Sequence, residues 1–132
     1  MTDDETVSLF AFDVATGKKL WQRDWRTGPL PEIHSTNSQA STTPAADADR
    51  VYFYFHTLGL LTVDARTGED AWEYKFPTPF FVFKCGPGMS PVLYKDMLIF
   101  CQDDDLNPAL YAFDKVTGKL RRKDARTDMA VN

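Results

Sequence analysis

The chain has 132 residues, 43% hydrophobic and 26% charged, which is enough apolar matter for one modest core and too much for a disordered segment. A net charge of −4, with no basic stripe carrying interleaved aromatics, argues against nucleic acid as a partner. No apolar run approaches the roughly 18 residues of a membrane span, and the opening Met1-Thr2-Asp3-Asp4-Glu5 is acidic, so neither a span nor an export signal is expected within these residues.

In chain order, the first expected elements are two strands near residues 7–13 and 18–25. They are joined by Asp13-Val14-Ala15-Thr16-Gly17, where Asp and Thr side chains can bond the backbone of a tight reversal and Gly accepts a positive φ. A long loop follows over 26–39, and then strands are expected near 40–46, 50–55, 59–64 and 70–76. Val51-Tyr52-Phe53-Tyr54-Phe55 is apolar on both faces, as suits a middle strand covered from both sides. Trp72, Tyr74 and Phe76 instead alternate with Glu73 and Lys75, the pattern of a half-exposed outer strand. The next loop, 77–88, carries the apolar patch Phe80-Phe81-Val82-Phe83, which either packs on the scaffold beneath it or, if exposed, binds a partner. Four more strands are expected near 89–94, 97–102, 109–114 and 119–124, with Leu98-Ile99-Phe100-Cys101 again apolar on both faces. The basic excess from Lys115 to Arg126 reads as a solvated outer strand.

These elements repeat. Leu9–Trp21, Leu60–Trp72 and Leu110–Arg122 align, each with Asp-x-x-Thr-Gly, and the Asp residues at 13, 64 and 114 give a period of 51 and then 50 residues. A second register agrees, since Pro44–Phe55 lies over Pro91–Gln102. A period of this length built from strands implies propeller blades. The expected fold is all-β: a partial β-propeller of four-stranded antiparallel blades, about two and a half of them, in an unclosed ring. Residues 7–25 form the half blade, 40–76 and 89–124 the two blades, all within a single fragment, 1–132.

The pattern Ala-x-Asp-x-x-Thr-Gly-x-x-x-Trp, complete in Ala11, Asp13, Thr16, Gly17 and Trp21, resembles the tryptophan-docking motif of the PQQ-like (pyrroloquinoline quinone) repeat propellers. That superfamily holds quinoprotein alcohol dehydrogenases and non-enzymatic relatives such as the propeller lipoprotein of outer-membrane β-barrel assembly. Asp64, Thr67, Gly68 and Trp72 repeat the motif with Thr62 in place of Ala, and Asp114, Thr117 and Gly118 repeat it with Arg122 in place of Trp. The resemblance implies that Trp21 and Trp72 stack on a turn peptide of the next blade, and it leaves that contact in doubt where Arg122 stands. It also implies a periplasmic or extracellular parent protein whose remaining blades are partners of this chain. Quinone-using members hold PQQ and Ca²⁺ over the central channel beside an adjacent Cys-Cys pair. Cys85 and Cys101 are separate and in neither CxxC nor zinc-ligand spacing, and they read as buried thiols with a disulfide as the alternative. No cofactor is expected for this chain, no catalytic residue is assigned, and PQQ with Ca²⁺ is left to the parent.

Alternating strand directions put the Thr-Gly turns on one face and the long loops on the other, where binding usually resides. His34, Asn37, Gln39 and Lys84 stand at loop ends expected to line the channel mouth, and are the candidate contacts for a protein or small-molecule ligand. The competing reading is that such residues only satisfy loop backbone. Asp103, Asp105 and Asn107 lie in an acidic insertion that offers the oxygens a Ca²⁺ ion needs, without the spacing of an EF-hand, and the alternative is a solvated acidic turn. His34 and His56 lack any triad or zinc partner and read as solvated. The leading expectation is a non-catalytic binding or scaffold segment of an exported propeller. The rival is a fragment of a quinoprotein dehydrogenase, and the third is a fragment with no separate function. Uncovered blade faces make self-association an expectation for the isolated chain.

Overall fold

The computed structural model describes residues 5–27, 42–76, 89–102 and 108–125. The described elements are β1 (Glu5–Phe12), β2 (Lys19–Thr27), β3 (Ala45–Ala46), β4 (Arg50–Phe55), β5 (Gly59–Asp64), β6 (Asp70–Tyr74), β7 (Val92–Tyr94), β8 (Met97–Gln102), β9 (Ala109–Asp114) and β10 (Leu120–Ala125). They form three antiparallel sheets in simple meander order: β1-β2, β3-β4-β5-β6 and β7-β8-β9-β10. No described element is a helix, so none is long and apolar enough to cross a membrane.

The middle sheet is held from both sides, and β4 shows why. Its side chains alternate between faces, yet Tyr52, Phe53, Tyr54 and Phe55 are all at most 6% exposed. Phe53 meets Trp25 of β2 at a ring-centroid distance of 5.1 Å, while Tyr54 meets Phe100 of β8 at 4.5 Å. Trp72, Tyr74 and Phe76 pack beside the latter contact against Tyr111 and Phe113, so the largest core cluster lies between the second and third sheets. Each fully buried aromatic or aliphatic side chain there contributes about 1.5–3 kcal/mol relative to exposure.

The last sheet carries one of the uncovered faces expected of an unclosed ring, although β8 reads as apolar on both faces. Leu98 and Phe100 are buried, but Met97, Ile99 and Cys101 are only half-buried, and Val92, Tyr94 and Leu110 are exposed. Met97, Ile99 and Cys101 share one face of β8, and no described sheet packs across it. An apolar strand is thus covered on one side only. The hairpin β1-β2 shows the same imbalance, with Phe10, Phe12 and Leu20 on its uncovered face.

One irregularity recurs at the same place in each outer strand pair. The register slips between Ala11 and Phe12, between Thr62 and Val63, and between Leu120 and Arg122, leaving Leu20, Ala71 and Arg121 as the extra residues. A bulge bends and twists the strand that carries it. Here it follows the Thr-Gly turn directly and sets Trp21 opposite Ala11, Trp72 opposite Thr62 and Arg122 opposite Ala112.

Candidate functional site

The three Asp-x-x-Thr-Gly turns fold almost identically. Asp13 Oδ1 accepts from the backbone N–H groups of Ala15 and Thr16 at 2.8 and 3.0 Å, and Thr16 Oγ1 accepts from Lys18 N at 3.2 Å. Asp64 and Thr67 repeat this with Arg66, Thr67 and Glu69, and Asp114 and Thr117 with Val116, Thr117 and Lys119. The N–H groups of Arg66 and Thr67 hold the Asp64 carboxyl below its ordinary range. The Thr117 N–H, the Arg121 guanidinium and the Val116 N–H bring Asp114 down to about 2.

Two of these turns receive an indole from the preceding sheet. Trp21 Nε1 donates to the carbonyl of Ala65 at 2.9 Å, and Trp72 Nε1 donates to the carbonyl of Lys115 at 2.9 Å. Both carbonyls belong to the residue after the turn Asp. The rings lie over the turn glycines so closely that a Cβ at Gly68 would stand 2.8 Å from Trp21 Cε3, and one at Gly118 would stand 2.5 Å from Trp72 Cδ2. Beside the first indole, Arg23 donates to the Gly68 carbonyl and pairs with Asp70 at 3.1 Å. Gly17 has the same positive φ, yet a Cβ there would meet nothing within 4 Å. Arg122, at the Trp position of the third copy, is exposed and pairs with Asp124 at 2.7 Å along its own strand.

This contrast separates two costs of replacing glycine. Gly17→Ala is expected to cost only the left-handed backbone penalty of about 1–2 kcal/mol. Gly118→Ala adds overpacking against the indole, roughly 1–3 kcal/mol more. Paired urea melts check this, and equal losses at the two positions would show that the Trp72 ring does not lie on Gly118.

Behind the second contact sits a polar cleft of about 360 Å³ lined by Asp47, Arg50, Tyr52, Arg66 and Lys115 among others. Asp47 lies in the tight β3–β4 connection, where its Oδ1 accepts from Asp49 N and Arg50 N at 2.9 and 2.8 Å. Its Oδ2 pairs with Lys115 Nζ at 3.0 Å, a partner 68 residues away. Tyr52 donates to the Lys115 carbonyl at 3.2 Å, so that oxygen accepts from both Tyr52 and Trp72. Burial, and then the Asp47 carboxylate, push the Tyr52 phenol up to about 12. Burial works upward on Asp47 as well, but the N–H groups of Arg50 and Asp49 and the Lys115 ammonium hold it below its ordinary range. Tyr52, Asp47 and Lys115 thus satisfy one another and lock one sheet to the next.

The residues expected to contact a ligand, His34, Asn37, Gln39 and Lys84, lie outside the described residues, as do Cys85 and the candidate cation ligands Asp103, Asp105 and Asn107. Among the described residues no three His, Cys, Asp or Glu side chains converge on one point. His56 is not solvated, as a lone loop histidine was expected to be, but only 6% exposed. The Asp47–Lys115 pair has no counterpart in the sequence reading. The backbone carbonyls of Asp49 and Asp96 accept from Ala65 N and Lys115 N in the Thr-Gly turn of their own sheets.

A sequence-family profile described as outer membrane protein assembly factor BamB matches residues 1–82. Among solved structures, BamB from Moraxella catarrhalis matches with a TM-score of 0.61 at 16% identity, over 89% of this chain and 30% of that one. A europium-containing methanol dehydrogenase matches with a TM-score of 0.60 at 18% identity, over 96% of this chain and 23% of that one. No curated protein sequence matches. The chain thus spans less than a third of either structure, and at these identities the likeness is one of fold: three antiparallel sheets in an unclosed propeller. With the profile covering more than half of its length, the chain belongs to the PQQ-like repeat propeller family described as outer membrane protein assembly factor BamB.

Proposed function

We propose that the chain is a non-catalytic scaffold or binding segment of an exported, periplasmic PQQ-like repeat propeller, with residues 7–25 as a half blade and 40–76 and 89–124 as blades. The observation that carries this reading is the match of residues 1–82 to a family described as an outer-membrane assembly factor. Trp21 and Trp72 act as docks that set the angle between neighbouring blades, and Asp47, Tyr52 and Lys115 brace the second dock. The remaining blades of the parent are its first partners. The long-loop face, with His34, Asn37, Gln39 and Lys84 at its inner ends, takes a protein or small ligand, and Asp103, Asp105 and Asn107 are its candidate cation ligands.

A second reading, a segment of a quinoprotein dehydrogenase, is favoured by the methanol dehydrogenase match over 96% of the chain. The two are separated by incubating the chain with PQQ, Ca²⁺ or a lanthanide, an alcohol and a dye acceptor. The scaffold reading expects no turnover above a control without protein. Reproducible turnover would transfer the assignment to the second reading.

A further inference from the structure

The junctions between the described sheets have a direction. Trp25 and Trp21 of the hairpin face forward, toward Phe53 and the Ala65 carbonyl of the middle sheet. Trp72 and Tyr74 of the middle sheet face forward in turn, onto Tyr111 and Phe113 of the last sheet. The periods of 51 and 50 residues carry these places to the two ends of the chain. Phe10 and Phe12 hold the places of Tyr111 and Phe113, so the hairpin leaves a backward face exposed. Leu110, Ala112, Arg122 and Asp124 hold the places of Leu60, Thr62, Trp72 and Tyr74. They share one face, because Leu110 pairs with Asp124 and Ala112 with Arg122 across the ladder. Leu110 and Arg122 are exposed there, so the last sheet leaves a forward face open.

The two open faces are thus one of each kind. A pairing of like faces would set forward on forward or backward on backward, an arrangement found nowhere among the described sheets. Head-to-tail pairing repeats a junction that the chain already makes twice. The side chains agree with it. Trp72 stands 5.9 Å from Phe113 and lies over Gly118, so Arg122 in the same pose meets Phe12 as a cation on an aromatic face and lies over Gly17. Asp124, in the pose of Tyr74, meets Phe10, whose ring has the Lys19 ammonium 6.0 Å from its centroid, and so brings a carboxylate to a cation. The Gly17 turn is ready to receive a side chain. It keeps the Asp13 and Thr16 bonds of the other two turns and the same positive φ, and a Cβ there would meet nothing within 4 Å, whereas Gly68 and Gly118 each lie under an indole. Val14 holds the place of Ala65 and Lys115, whose carbonyls accept from those indoles. We propose that a second copy of this chain docks head to tail, the β9-β10 face of one on the β1-β2 face of the other, with Arg122 over the Gly17 turn. This concerns the chain and its own copy, and it does not rest on the scaffold reading.

Two blocked chains test the pairing by light scattering behind size exclusion. Phe12→Glu blocks the β1-β2 face, and Leu110→Lys blocks the β9-β10 face while pairing across the ladder with Asp124. Each variant alone is expected to be monomeric. Their equimolar mixture should form a one-to-one complex that grows no further, because each chain keeps one good face. Arg122→Trp tests the same contact by gain: it supplies the indole of the other two junctions at an exposed position. It should tighten association by at least about five-fold, the scale of one net hydrogen bond, and shift the Gly17 α protons upfield only in the associated state. A wild-type chain that stays monomeric at every concentration would overturn the proposal. So would a mixture that stays monomeric while both variants melt cooperatively, or a single blocked chain that associates as the wild type does. Where a blocked chain does not fold, Arg122→Trp decides alone, and unchanged association with unshifted Gly17 protons overturns the proposal.

Discussion

Trp72→Ala is expected to destabilise the chain by about 3–5 kcal/mol, the range for emptying an aromatic core site. The indole lies over Gly118, donates to the Lys115 carbonyl, and stands 6.2 Å from the Tyr52 ring and 5.9 Å from the Phe113 ring. Truncation removes all four contacts at the junction of two sheets. It also takes from the Lys115 oxygen one of its two donors. Glu73, the next residue along β6, is exposed and points to the opposite face, so Glu73→Ala should change stability by no more than about 0.5 kcal/mol. Denaturant melts at matched chain concentration decide the matter. Similar losses at the two positions would contradict the strand phase on which the blade contact depends.

The second large effect is on association state. On the first hairpin Phe10, Phe12 and Leu20 are 48%, 57% and 59% exposed, and on the last sheet Val92 and Tyr94 are 59% and 53% exposed. These residues leave apolar surface on both sheet faces for a second copy to cover, and β1 also has no described strand on its outer edge. The isolated chain is expected to self-associate, or to be only marginally folded as a monomer. Phe12→Glu sets a carboxylate across the ladder from Lys19, which the folded hairpin tolerates, and it should shift the population toward monomer. Light scattering behind size exclusion, over a wide concentration range and alongside thermal melting, reads both outcomes. A concentration-independent monomer with a sharp, high melting transition would show that these faces are covered.

Much of the strand plan was legible because side-chain alternation and turn chemistry are local properties. The expected strand at 50–55 is β4 to the residue, and the one at 59–64 is β5. Within the described part of the expected strand 40–46, residues 42–46, only Ala45–Ala46 pairs as strand. Pro44 has no N–H to give the ladder, and Thr42 reaches the Tyr54 carbonyl with its hydroxyl, at 2.7 Å. The bulge after each Thr-Gly turn left no mark in the periodicity, since one extra residue between two polar-tolerant positions looks like ordinary strand. The brace of Asp47 on Lys115 joins positions 68 residues apart, which no local pattern connects. His56 was misread for the same reason: nothing near it in sequence signals that Trp25 and Thr27 of another sheet stand against its turn.

The account rests on a tryptophan of one sheet lying on the turn glycine of the next. Proton NMR of the intact chain tests this most directly, because an indole over a glycine both shields its α protons and lies close enough for through-space transfer. Gly68 and Gly118 should show upfield-shifted α protons with cross-peaks to the Trp21 and Trp72 rings respectively, while the Gly17 α protons, facing no indole, should resonate in the ordinary range. Three glycines with the same unshifted α protons and no cross-peaks to tryptophan would contradict the account.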